Sequence, residues 1–200
     1  MKVVGLCGGI GAGKSTVARL LAERGAVVVD VDALGRSVLV HDEVRHAVVA
    51  EFGDGVLDAD GGIDRAALAR EVFSCEGRLT DLEAISHPAI DREIARHLEA
   101  LASDPPDLVV LDMAVLVESD LGKLSDGRGY TEVVVVEAHA DVRLERLVAR
   151  GMAADDARAR MAAQATDAER RAVADHVLVN DGDEADLAER VDELIPLLVA

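Results

Sequence analysis

The sequence predicts an α/β fold, a three-layer sandwich around a mostly parallel five-stranded sheet, on three observations. Five short apolar runs, KVVGLC, AVVVD, LVVLD, EVVVVE and DHVLVN, are strand-sized. Most show little of the apolar–polar alternation of a half-solvated strand, as expected of strands covered on both faces. Stretches rich in Ala, Leu and charge separate them, so the units read as strand–helix–strand. Aromatics are nearly absent, with two Phe, one Tyr and no Trp. Val is therefore left to build the strands, and Ala and Leu the helices.

In chain order, residues 2–7 form the first strand and 14–24 a helix closed by Gly25. Residues 26–30 are the second strand, followed by helical stretches at 33–40 and 42–52. Residues 53–62 are turn-rich, with Asp-Gly dipeptides. Helical pattern resumes from 63 to about 97; Asp64 can cap its start, and His87-Pro88 should break it, since Pro88 suits the first turn of a new helix. Strands follow at 108–112 and 132–137, with an irregular polar stretch at 119–130 between them. Residues 141–150 and 152–171 read as two charged helices, 175–180 as the fifth strand and 184–199 as the closing helix. The helix-rich block from about 35 to 103 interrupts the alternation and reads as an inserted subdomain.

A formal net charge of −18 repels nucleic acid and anionic membranes. Neither is an expected partner; small molecules are. A polyanionic ligand must then be gripped by local donors against the global field. Cys7 and Cys75 make no ligand or disulfide pattern, consistent with a reducing cytoplasm. The apolar N-terminal stretch is too short to span a membrane and runs into a Gly-rich loop, so a cytoplasmic chain is expected, with a monomer as the expected state.

Residues 8–15, GGIGAGKS, match G-x-x-x-x-G-K-[ST] in full, between an apolar strand and a helix. Glycines let main-chain N–H groups face a phosphate without a Cβ in the way, and the helix N-terminus adds partial positive charge. Lys14 is the candidate for the β- and γ-phosphates and Ser15 for Mg²⁺. The sequence therefore predicts a P-loop nucleotide site. A guanine-reading Asn-Lys-x-Asp is missing, since the late strand ends Val179-Asn180-Asp181-Gly182. Asp58-Ala59-Asp60-Gly61 resembles a switch motif but has no apolar strand before it.

A small kinase also needs a carboxylate near the transferred group and cations that follow its charge. Asp30 and Asp32 close the second apolar run, where open parallel sheets bind ligands; one of them can instead cap the next helix. Arg143, Arg146 and Arg150 share one helical face, with Arg158, Arg160, Arg170 and Arg171 beyond. Their alternative role is a solvated surface paired with nearby acids, as a lid needs only one or two of them. Asp112 is a metal-contact candidate or a strand-end cap, and His87 a site residue or a structural one.

The ordered set GGIGAGKST, VVDVDALGR, DGGIDRAALAREVF, HPAI, VLVE and QATDAERRAVADHVLVNDG resembles the dephospho-CoA kinases over residues 2–195. The resemblance implies transfer of the ATP γ-phosphoryl group to the ribose 3′-hydroxyl of dephospho-CoA. It implies a core at 1–32, 104–140 and 172–200, a helical CoA-binding subdomain at 33–103 and a lid at 141–171. It makes Asp32 the general base, with Arg146 and Arg150 flanking the lid and Lys14 on the transferred phosphate. Gly11, Ala12, Gly13, Lys14, Ser15 and Thr16 would hold the ATP phosphates, and Asn180 would approach adenine. His87, Leu116 and Glu118 would line the acceptor site, with Arg36 near the acceptor's phosphates. Three departures stand out: Val31 where the family has Ala, Ala114 where it has Pro, and a longer connection at 124–130. The competing readings are another small-metabolite or nucleoside monophosphate kinase, and a nucleotide-sensing switch without transferase activity.

Overall fold

The computed structural model describes residues 1–75, 77–114, 116, 117 and 119–200. The chain runs β1 (Lys2–Gly8), α1 (Lys14–Glu23), β2 (Val27–Asp30), α2 (Val31–Ser37), α3 (Asp42–Phe52), α4 (Arg65–Val72) and α5 (Arg78–Leu101). It continues through β3 (Leu108–Asp112), β4 (Glu132–Glu137), α6 (Ala140–Ala149), α7 (Ala154–Ala162), α8 (Asp167–Val173), β5 (His176–Val179) and α9 (Glu184–Val199). Two compact units result, Met1–Asp30 with His97–Ala200, and Val31–Arg96.

The first unit holds a five-stranded sheet in the order β2-β3-β1-β4-β5, with every pairing parallel. The register sets Leu6 opposite Asp112, Asp30 opposite Asp112, Gly8 opposite Val136 and Glu137 opposite Val179. The carboxyl ends of the strands thus form one edge, and β1 opens into the glycine loop at the centre of that edge. On one face Val4, Leu6, Val110, Val134 and Val136 pack with Val17 and Leu21 of α1 and Val191 and Leu198 of α9. The residues between them, Val3, Cys7, Val109, Leu111, Val133 and Val135, are buried too. Burial on both sides is why these runs carry so little polar alternation. Each fully buried Val or Leu is worth about 1.5–3 kcal/mol relative to exposure. Around Gly5 the second face is covered by Leu116 and Tyr130.

The second unit has its own buried residues, among them Val44, Val48 and Phe52 of α3, Leu68 and Val72 of α4, and Ile90 and Ile94 of α5. Asp64 caps α4, accepting from the N–H groups of Ala66 and Ala67 at 2.9 and 3.1 Å. Arg78 joins its helices, stacking 4.5 Å from the Phe52 ring centroid and reaching Glu51 at 2.9 Å and Glu71 at 3.0 Å.

Three local expectations are corrected. His87-Pro88 does not end a helix, for α5 runs through Pro88 from Arg78 to Leu101. Proline leaves the carbonyl of the residue four earlier without its helical donor. That residue, Ala84, and Pro88 are both exposed, so water can serve the carbonyl while Ala89, Ile90 and Ile94 hold the buried face. Asp32 does not close the second strand, which ends at Asp30; it sits in the first turn of α2. The stretch 152–171 is two helices, because Thr166 and Glu169 form a reciprocal capping box that starts α8 afresh. Among the described residues no helix is long and apolar enough to cross a membrane.

Candidate functional site

The loop from Gly9 to Gly13 links the buried strand β1 to the first turn of α1. Gly13 is the N-cap residue of α1, with φ of 100°. A Cβ there would also run into Nδ2 of Asn180, so backbone conformation and space both demand glycine. The main-chain N–H groups of Gly11, Gly13 and Ser15 make no hydrogen bond among the described residues. They stand as donors at the N-terminus of a ten-residue helix, the arrangement that receives an anion.

The walls of this cradle come from three elements. Lys14 pairs with Asp112 at the end of β3, both side chains being largely buried. Asn180, only 6% exposed, follows β5 and donates from Nδ2 to the Ala12 carbonyl at 2.7 Å. Arg146 of α6 in turn donates to the Asn180 carbonyl at 2.9 Å and to the Gly182 carbonyl at 3.3 Å. A cavity of about 160 Å³ opens here, lined by Gly13, Thr16, Arg146, Arg150, Asn180 and Gly182 among others. Arg150 is exposed at its rim. The cavity thus brings Arg146 and Arg150 to the N-terminus of α1, with Asp183 and Glu184 also on its lining, and Lys14 stands beside the loop against Asp112.

Gly11, Ala12, Gly13, Lys14, Ser15, Thr16, Asn180, Arg146 and Arg150 thus lie together within the first unit. The shared face expected of the arginines divides by role. Arg143 turns inward, 5% exposed, toward Ile10 and Asp167, while Arg146 and Arg150 reach the cavity. Burial pushes the Arg143 guanidinium below its usual range, with Asp167 opposing the shift. Arg171 grips the carboxylate of Glu137 at the end of β4 with contacts of 2.6–2.9 Å. Sequence spacing gave no signal for the burial of Arg143 or the Glu137 pairing, because both partners come from distant segments. Asp112 was open between a metal contact and a cap; its carboxylate faces Lys14.

Of the acceptor-side residues, Asp32, Arg36 and His87 belong to the second unit, with Asp32 and Arg36 at opposite ends of α2. Asp32 and His87 are half-buried and Arg36 is exposed. Leu116 is buried at 4% exposure, and its Cδ1 fills the space beside Gly5 on β1, a packing position. Glu118 lies outside the described residues. Among the described residues there is no group of three or more His, Cys, Asp or Glu placed to hold a metal ion.

The dephospho-CoA kinase family model matches residues 2–186. The chain is 45% identical over 201 residues to the dephospho-CoA kinase of Frankia casuarinae, covering 100% of this chain and 85% of the relative. Among solved structures, a Thermus thermophilus protein superposes with a TM-score of 0.81 at 34% identity, covering 98% of this chain and 96% of the other. A dephospho-CoA kinase from Campylobacter jejuni shares the fold, with a TM-score of 0.69 at 22% identity over 98% of this chain and 96% of that one.

Proposed function

The chain belongs to the dephospho-CoA kinase family, and from that premise we propose how its residues divide the reaction. The reaction moves the γ-phosphoryl group of ATP to the ribose 3′-hydroxyl of dephospho-CoA, giving CoA and ADP. The observation that carries the assignment of roles is the cradle: loop N–H groups left unspent on Gly11, Gly13 and Ser15, Lys14 beside them against Asp112, and Arg146 and Arg150 lining the cavity that Gly13 and Thr16 border.

In this reading Gly11 to Thr16 bind the ATP phosphates, and Lys14 exchanges Asp112 for the β- and γ-phosphates. The exchange suits the charges, because a triphosphate offers the ammonium group more negative charge than one carboxylate does. Asn180 fixes the loop and borders the nucleotide. Asp32, two residues past the end of β2, takes the proton of the acceptor hydroxyl as its oxygen attacks the γ-phosphorus. The bond to the β–γ bridging oxygen breaks, and ADP leaves with the electron pair. Arg146 and Arg150 balance the charge that spreads over the transferring group. Most of the catalysis is then positioning and charge stabilisation.

Mg²⁺, when bound, neutralises phosphate charge. Ser15 fits a Mg²⁺ site that draws most of its oxygens from phosphates and water, because it is exposed on the first turn of α1 and no acidic cage surrounds it among the described residues. We assign acceptor binding to the unit Val31–Arg96, which holds Asp32, Arg36 and His87, and a lid role to residues 141–171. The substrates are small molecules, ATP and dephospho-CoA.

The test is ADP release with Mg·ATP, comparing dephospho-CoA, AMP, CMP and no acceptor, with the product's mass and phosphate position determined. Release that depends on dephospho-CoA, with one phosphate added at the 3′-position, is expected. Release only with a nucleoside monophosphate would replace the acceptor, and acceptor-independent nucleotide binding alone would point to a sensing role.

A further inference from the structure

The crest of the glycine loop is held by its main chain from two sides. The Ile10 N–H donates to Oε1 of Gln164 at 2.8 Å. The Ile10 carbonyl accepts from Nε of Arg143 at 2.9 Å. Arg143 is itself fixed, its Nη1 lying 3.2 Å from Oδ1 of Asp167. The same oxygen accepts from Nη1 of Arg170 at 3.1 Å, and Arg170 is 4% exposed. The approach is close: Cζ of Arg143 lies 2.6 Å from where a Cβ on Gly9 would stand, so only glycine fits beneath the guanidinium.

Gln164 differs from the other members of this clasp. It lies between the C-cap of α7 at Ala163 and the capping box that starts α8 at Thr166, so its position follows from the junction of those two helices rather than from α6. Its partner is a loop N–H, and that N–H is thereby spent, unlike those of Gly11, Gly13 and Ser15. A carboxamide oxygen can do this without placing negative charge beside bound phosphates, which a carboxylate cannot.

We propose that Gln164 is a positioning residue for the phosphate loop: by accepting the Ile10 N–H it holds the loop in its anion-receiving form and ties that form to the seating of α8. The proposal rests on the reading of Gly11 to Thr16 as the ATP site. A loop ordered before the ligand arrives spends less binding free energy on ordering, so the effect falls on ATP and not on the acceptor.

Gln164→Met keeps the length of the side chain and removes the acceptor; Gln164→Glu keeps an acceptor oxygen. Gln164→Met is expected to raise the KM for ATP about tenfold, the worth of one hydrogen bond that fixes backbone. The KM for dephospho-CoA should stay within about twofold of wild type, below what one lost hydrogen bond costs. Amide hydrogen exchange at Ile10 in the ligand-free protein should quicken in Gln164→Met and stay slow in Gln164→Glu. A wild-type KM for ATP in Gln164→Met would overturn the proposal whatever the exchange shows. So would an equal rise in both KM values with a lowered melting temperature, which marks general loosening. Loss of ATP binding in a Lys14 variant is a separate result and bears on the ATP-site reading alone.

Discussion

Both edges of the parallel sheet carry charged groups and use them differently. At the amino-terminal edge the partners belong to the strands themselves or to the residue before a strand. Lys2 of β1 meets Glu132 of β4 at 2.5 Å, Glu132 faces His176 of β5 at 3.0 Å, and Asp175 accepts the Val133 N–H at 2.8 Å. These contacts clamp β1, β4 and β5 side by side. At the carboxyl-terminal edge the strand-end groups take partners from outside the sheet: Asp112 takes Lys14 of α1, Glu137 takes Arg171 of α8, and Asn180 takes the loop carbonyl of Ala12. A clamp between strands opens only if the sheet does. A pairing with a loop or helix can be exchanged for a ligand while the sheet stays intact. The difference suits the carboxyl-terminal edge to ligand exchange, as the proposed site requires, and the amino-terminal edge to stability.

Substitutions should separate the edges. The largest effect is expected from Asp32→Asn, just past the end of β2, which should lower turnover about 10²–10⁴-fold as loss of a general base does, while ATP affinity stays near wild type. Turnover within about tenfold of wild type would remove Asp32 from that role. Lys14→Met should cost about 10²–10³-fold in turnover, comparable to removing one preorganised donor to developing charge. Arg150→Ala should reduce turnover about tenfold to a hundredfold, one charge-assisted hydrogen bond's worth, with ATP binding less affected; an unchanged rate would make it a surface charge.

The smallest effect is expected at the opposite edge. Hydrogen bonds from Lys2 and from His176 hold the Glu132 carboxyl below the usual carboxylate range. A depressed folded-state value contributes stability that is present above the unfolded value of about 4.3 and is lost as pH falls through the folded value. Glu132→Gln should therefore lower the melting temperature slightly at neutral pH, converge with wild type on acidification, and leave turnover unchanged. A melting difference that grew as pH fell would reverse that sign.

Much of this division was legible before any coordinates. The five apolar runs are the five strands: β1, β3 and β4 are buried on both faces and so apolar along nearly their whole length, the partly exposed edge strands β2 and β5 are short, and Val is the one β-branched residue the strands contain. The glycine loop was legible because its chemistry is local: glycine, lysine and serine act within eight residues. Pairings across 100 residues or more, such as Arg143 with Ile10, Asn180 with Ala12 and Gln164 with Ile10, leave no local pattern. The break between α7 and α8 was readable, since Thr166 and Glu169 have capping-box spacing. The continuity of α5 through Pro88 was not, because it depends on which side of the helix is buried.

The most direct test sets one residue from each edge side by side: dephospho-CoA-dependent ADP release at neutral pH by Lys14→Met and by Glu132→Gln, both confirmed folded. The expected result is a loss of about 10²–10³-fold in the first and wild-type turnover in the second. Equal losses in the two, or an active Lys14→Met, would contradict the assignment of phosphoryl transfer to the carboxyl-terminal edge.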